Sequence, residues 1–436
     1  MIKKGFFSFV FIMVLFSFAG CRQHQEKVVL RFSDWHLTEN VWKKSLLEAV
    51  AEFQVRYPHI EIILEPVPYE DKDFFYITES EAGMAPDIYH LHANSLQYFF
   101  SSGYTKDLSA FIQSEGGSVF LKNWYDLPLK ACMYQGQQMA MPGDFMSMVL
   151  VYNKECFEDA GLDPEKPPTD WDEFIKINRK LTIDSDGDGY TDRWGLTMIG
   201  AKDPGFELRF SPFIWAFGGD YLTPDLKHSA LNRPETLRGF KYYVELAQKE
   251  KVVTPGVLKN TPQMSRMKLA NEQAAMIVGS GWTIPIVDDF NPELNAHEVL
   301  EMAPLPVFEK PVTSAWLSAW VMNANTKHPE EAWELMKFIT SREMELKWFK
   351  DNHVLSSRKD VSSTAPEILN DKFAAVISSQ LPNARLVPQI KQWPEIIQVI
   401  SRAAYDAINE TKTPEEALQD AHLKVEAILN RKDPSQ

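Results

Sequence analysis

The chain has 436 residues, 44% of them hydrophobic, and its 45 Lys and Arg against 60 Asp and Glu give a formal net charge of −15. That acidic balance argues against nucleic acid as a partner, because phosphate backbones are gripped by basic patches. The length exceeds what one hydrophobic core usually serves, so at least two domains are expected.

Lys3 and Lys4 precede an apolar run over 6–18 that ends in small residues at Ala19 and Gly20. This is the pattern of a signal peptide over 1–20, and the run is shorter than the roughly 20 apolar residues a spanning helix needs. Phe18-Ala19-Gly20-Cys21 resembles a lipobox, with Phe where Leu is commoner. The resemblance implies lipidation of Cys21, an ordinary cleavage site being the alternative. Residues 21–27 then read as a lipidated tether, and the protein as exported and held at the cell membrane by its lipid alone, on a periplasmic or extracellular face.

Val28 to Phe32 reads as a first strand. Trp42, Leu46, Val50, Phe53 and Tyr57 recur at helical spacing, and Ile60, Ile62 and Leu64 alternate as a second strand. Strand, helix, strand is a βαβ unit with parallel pairing. A third strand follows at 87–91. Cys132 and Cys156 could bridge in an oxidising compartment or stay as buried thiols. Thr169 is placed to cap a helix carrying Phe174, Ile177 and Leu181. Pro329 opens another with Ala332, Leu335, Met336 and Ile339 on one face, and 414–429 is a third strong helix. No long low-complexity linker separates these elements, so several short crossings should join the domains.

Between them, 184–192 reads DSDGDGYTD. Asp184, Asp186, Asp188 and Asp192 fall at positions 1, 3, 5 and 9 of an EF-hand loop, with Gly at 6 and the Tyr190 carbonyl at 7. Position 12 is Gly195, so the bidentate closing ligand is missing. A structural Ca2+ is expected here, and a solvated Asp/Gly turn is the alternative.

Several blocks resemble bacterial extracellular solute-binding proteins of family 1, the maltose-binding-protein-like sugar-binding lipoproteins of ABC transporters. They are GQQMAMPGDFMSMVLVYNKECFEDAGL at 136–162, PPTDWDEF at 167–174, NEQAAMIVGSGW at 271–282, the second crossing from Pro304, and HPEEAWELMKFI at 328–339. The resemblance spans most of the chain after the signal. It implies an α/β, two-lobed periplasmic-binding-protein-like fold of type II, with a ligand cleft between lobes joined by several crossings. Lobe 1 would hold 28–144 plus 304–361 and lobe 2 would hold 145–303 plus 362–436. It also implies capture of a sugar or oligosaccharide by hinge closure, delivery to ABC permease subunits, and a monomer.

A sugar presents apolar faces ringed by hydroxyls, so its cleft needs aromatic platforms and polar groups at the rim. The chain has 12 Trp, most of which core packing would absorb. Trp282, after Gly279-Ser280-Gly281, falls where the family places a stacking Trp, and Trp393 falls in the region of a second platform. Trp316 follows the second crossing, and Trp320 could share its face, with a core role the alternative. Trp35 and His36 follow the first strand, and His92 and Asn94 the third, where α/β folds place contacting loops. Asp144 sits at the first crossing. By the same resemblance Asn94 stands where maltose-binding members carry a carboxylate, an amide that still suits a sugar but changes its hydroxyl preference, and Met146 stands where they carry a glutamate, which puts maltose itself in doubt. Arg358 reads as a surface residue that could meet an acidic ligand. No nucleophile elbow, zinc-protease motif or phosphate loop is present. An exported polysaccharide hydrolase or lyase, needing two carboxylates across a cleft, is one alternative. A ligand-sensing partner of a signalling receptor is another.

Overall fold

Val28–Asp34 pairs in parallel with Ile60–Pro66, residue Val28 against Ile60 through Asp34 against Pro66. The helix Asn40–Arg56 supplies the crossover, burying Trp42, Leu46, Val50 and Phe53, while Tyr57 is its half-buried C-cap. This computed structural model describes residues 27–200 and 204–431, so the expected signal peptide, Cys21 and the expected tether through residue 26 lie outside the described residues.

The large sheet runs in the order Ala384–Arg385, Thr313–Met322, Ile88–His92, Val28–Asp34, Ile60–Pro66, and Ala140–Ser147 pairs antiparallel along Thr313–Met322. One face buries Leu30, Phe32 and Trp320 against the Asn40–Arg56 and Pro329–Ile339 helices. The other buries Tyr89, Leu91, Phe99 and Leu317. The inner strands Ile88–His92 and Thr313–Met322 are buried almost throughout, whereas the edge strand Ile60–Pro66 keeps an exposed face with Glu61.

The second sheet is smaller, in the order Leu300–Ala303, Val149–Asn153, Ala274–Gly279, Trp194–Thr197. Its lobe carries the core that includes Phe210, Phe213, Phe240 and Tyr243. The chain first crosses between lobes at Met148, from Ala140–Ser147 into Val149–Asn153, and crosses back between Ala303 and Thr313. A third stretch, 353–358, runs beside the first crossing, where the Phe145 N–H donates to the Leu355 carbonyl at 2.9 Å. Such short crossings allow a hinge but little else.

Local chemistry sets the helix ends. Asp170, not Thr169, is the N-cap of Trp171–Leu181: its carboxylate accepts from the Glu173 N–H at 2.7 Å, while Thr169 binds back to the Glu173 side chain. An Asp directly before the first helical residue outcompetes the threonine one place earlier. Thr413 and Glu416 form a capping box at Pro414–Leu429. Cys132 and Cys156 are both buried free thiols. Arg358 is buried, not on the surface: it lies over the Trp124 ring at 4.4 Å, donates to both Asp360 oxygens and binds the Thr340 carbonyl. Among the described residues no helix is long and apolar enough to cross a membrane.

Candidate ligand-binding cleft

The first strand ends in Asp34, whose carboxylate accepts from the His36 N–H at 2.9 Å and so turns the chain into the short helix Trp35–Thr38. That cap places Trp35 and His36 at the mouth of the large sheet. On the neighbouring long strand, Trp316 donates from Nε1 to Asp144 Oδ2 at 2.7 Å, which fixes the indole plane and the carboxylate together. From the other lobe, Ala274–Gly279 ends in Ser280-Gly281, and Trp282 stands at the start of the helix Thr283–Phe290. Its ring meets Trp316 edge-on across the lobes, centroids 5.0 Å apart.

These residues wall one partly open cleft, together with Glu39, Trp42, Tyr69, Glu70, Arg209, Gln263 and Arg266. Trp35, His36, Asp144, Trp282 and Trp316 are thus brought together. Glu39, Trp42, Tyr69, Glu70 and the two arginines had not been singled out. Tyr69 and Glu70 follow the second strand, and the strand-end rule that picked Trp35 would have found them. Trp42 reads as helix core, and nothing local marks Arg209 or Arg266.

The cleft floor is a buried charge cluster. Burial alone would raise Asp34, but the His36 and His90 imidazoles beside it outweigh that and hold the carboxyl far below the usual range. For His36, burial opposes the charged form, and Asp34 overrides it and raises the pKa. Burial wins at His90 and lowers it, and burial raises Asp144 and Glu39. His90 is stacked between Trp35 and Trp320, centroids 4.0 and 3.7 Å away, and its Nε2 meets Ser318 Oγ at 2.8 Å. Carboxylate, imidazole and hydroxyl stand in the order of a nucleophilic triad. Ser318, however, is fully buried behind Gly143, so its hydroxyl is closed to a substrate.

Trp393, His92 and Asn94 are not part of this wall. Trp393 is fully buried, packed on Tyr221 with centroids 5.2 Å apart, and donates from Nε1 to Glu207 Oε2 at 2.9 Å. Its helix Trp393–Ile408 turns the indole into the second lobe's core, so no face is left for a ligand here. His92 lies 3.8 Å from Glu207 Oε1, and Asn94 adjoins both. Burial pushes Glu207 up to about 7 and His92 down to about 3. In the exposed loop at 184–192, carboxylate oxygens of Asp184, Asp186 and Asp188 lie within 4.8 Å of one another. Asp184 accepts from the Gly187 and Gly189 N–H groups, Asp188 from that of Tyr190, and Asp192 from that of Ser185.

The profile of the bacterial extracellular solute-binding protein family matches residues 48–375. A Brucella abortus binding protein is 23% identical over 386 residues, covering 88% of this chain and 89% of the relative. The maltotriose-binding protein of Pyrococcus abyssi is 22% identical over 404 residues, covering 91% of this chain and 80% of its own length. Among solved structures, an ABC transporter solute-binding protein of Thermotoga lettingae bound with α-D-tagatose superposes with a TM-score of 0.84 at 25% identity, over 93% of this chain and 100% of that one. The maltotriose-binding protein of Thermus thermophilus, bound with maltotriose, gives 0.77 at 17% identity, over 93% and 100%. The two-lobed α/β fold is shared with these solved structures, and the chain belongs to the bacterial extracellular solute-binding protein family.

Proposed function

We propose that the protein is the substrate-binding component of an ABC-type carbohydrate importer, capturing a sugar or oligosaccharide by closing its two lobes. The observation that carries this reading is the composition of the cleft: Trp35, Trp42, Tyr69 and Trp316 from one lobe and Trp282 from the other, with Glu39, Glu70, Asp144 and the two arginines among them. Aromatic faces suit the apolar faces of a pyranose, and charged rim groups make the stronger hydrogen bonds to its hydroxyls. Trp282, Trp316, Trp35, His36 and Asp144 are the proposed contacts; His92, Asn94 and Trp393 hold the lobes behind them. The cleft acts by capture and not by turnover. Titration calorimetry against mono- and oligosaccharides should give saturable binding with the sugar recovered intact. Hydrolysis or elimination products in the cell, or no binding by any sugar, would reject the reading.

We also propose that 184–192 holds a structural Ca2+, with Asp184, Asp186, Asp188 and Asp192 and the Tyr190 carbonyl as oxygen donors suited to that cation. Calcium should raise the melting temperature, and Asp186→Asn should abolish the rise without changing sugar affinity. A melting temperature indifferent to calcium would reject the site. The lipobox resemblance supports an anchor at Cys21, and membership of the family supports a monomer. Cys21→Ser should move the protein from the membrane fraction to the soluble one.

A further inference from the structure

At the floor of the cleft, donor atoms of three side chains converge. Asp34 Oδ1 lies 3.2 Å from His36 Nδ1 and 3.4 Å from His90 Nδ1, and the ligating atoms of all three lie within 4.8 Å of one another. Four donors at about 2.0 Å from a zinc ion stand about 3.3 Å apart, the edge of a tetrahedron. A metal-bound imidazole keeps its lone pair on the metal by giving its other N–H to an outer partner. Ser318 Oγ, 2.8 Å from His90 Nε2, is such a partner. The ring cannot swing away, since it is clamped between Trp35 and Trp320.

The second carboxylate oxygen, Asp34 Oδ2, is buried and has no hydrogen-bond partner among the described residues. An ionised oxygen in that state is costly, and a cation beside it removes the cost. A small cavity adjoins the group, lined by Asp34, His36, His90, Asp144 and Glu345 among others. It leaves room for a fourth donor from Asp144 or a water.

We propose that Asp34, His36 and His90 form a binding site for a divalent transition-metal ion at the floor of the cleft. Two imidazoles and a carboxylate favour Zn2+, whereas Ca2+ and Mg2+ take all-oxygen shells. The site stands whatever solute the cleft above it takes.

Co2+, a visible stand-in for Zn2+, tests this on the purified protein without any sugar. One equivalent should develop ligand-field absorption of tetrahedral strength that Zn2+ then bleaches. His36→Gln, at a partly exposed position, should weaken Co2+ binding at least about tenfold, and Ser318→Ala, which removes only the outer partner, by about tenfold. Asp186→Asn in the exposed loop should leave the bands unchanged. Absence of the bands, Co2+ affinity undiminished in His36→Gln, or bands that vanish in Asp186→Asn would overturn the proposal.

Discussion

Among the described residues Trp282 carries the second lobe's only aromatic face at the cleft wall, and it is held there by its contact with Trp316. Truncating a central, desolvated aromatic at a binding surface typically costs about 2 kcal/mol or more, or roughly thirtyfold in affinity. Trp282→Ala should therefore weaken sugar binding by that order while circular dichroism stays unchanged, and an unaltered dissociation constant would remove Trp282 from the contacts. Glu207 makes a different prediction. Its carboxyl is raised to about 7 by burial, against an ordinary value near 4.5, so between those limits the native state keeps a proton that the unfolded chain has lost. Stability contributed below the lower limit is then lost as pH rises through the higher one, by about 3 kcal/mol in all. Glu207→Gln cannot titrate and should flatten this part of the curve. Denaturant unfolding at pH 5 and pH 8 checks it, since only the wild type should lose that increment, and parallel pH profiles would show that Glu207 does not titrate as the geometry implies.

At the scale of elements, the turn before Trp282 depends on a close approach. A Cβ on Gly281 would stand 2.0 Å from the His353 carbonyl oxygen, on the crossing stretch that follows Arg342–Asn352. Backbone must move to relieve such a clash, so Gly281→Ala should both destabilise the fold by about 2 kcal/mol and shift Trp282. Loss of stability with unchanged sugar affinity would separate the turn from the site. Asp170→Ala should cost about 1 kcal/mol through the lost cap, read as a lower denaturation midpoint with binding intact. Legibility follows the same division between local and distant determinants. The βαβ entry, the Pro329–Ile339 and Pro414–Leu429 helices and the strand-end positions of Trp35 and His36 were readable because periodicity and capping are local. Asp170's capture of the cap from Thr169 was a one-residue competition that spacing alone does not decide. Arg209 and Arg266 come to the cleft on helices of the second lobe, and Trp393 is turned away from it by core packing around Tyr221. Both outcomes are set by tertiary contacts that no short window contains.

For the whole molecule, the question is what holds the lobes together. Trp42, on a first-lobe helix, packs into the hydrophobic cluster that includes the second lobe's Ile286 and Trp282. Glu39 and Asp144 line the cleft between the lobes, and burial in this arrangement raises both carboxyls, which is a cost to it. A sugar whose hydroxyls pair with those groups offsets the cost only when the lobes are shut, which is the differential affinity that hinge closure requires. Small-angle scattering should then show the radius of gyration falling as the sugar is added. Trp42 also stacks on His36 of its own lobe and lines the cleft, so Trp42→Ala removes inter-lobe packing together with cleft wall and should weaken affinity about tenfold or more. At saturating sugar the variant should still reach the compact radius of the wild type, because the ligand's own contacts remain. A wild-type radius identical with and without sugar would mean that the lobes are already locked, and that capture proceeds by entry into a preformed cleft.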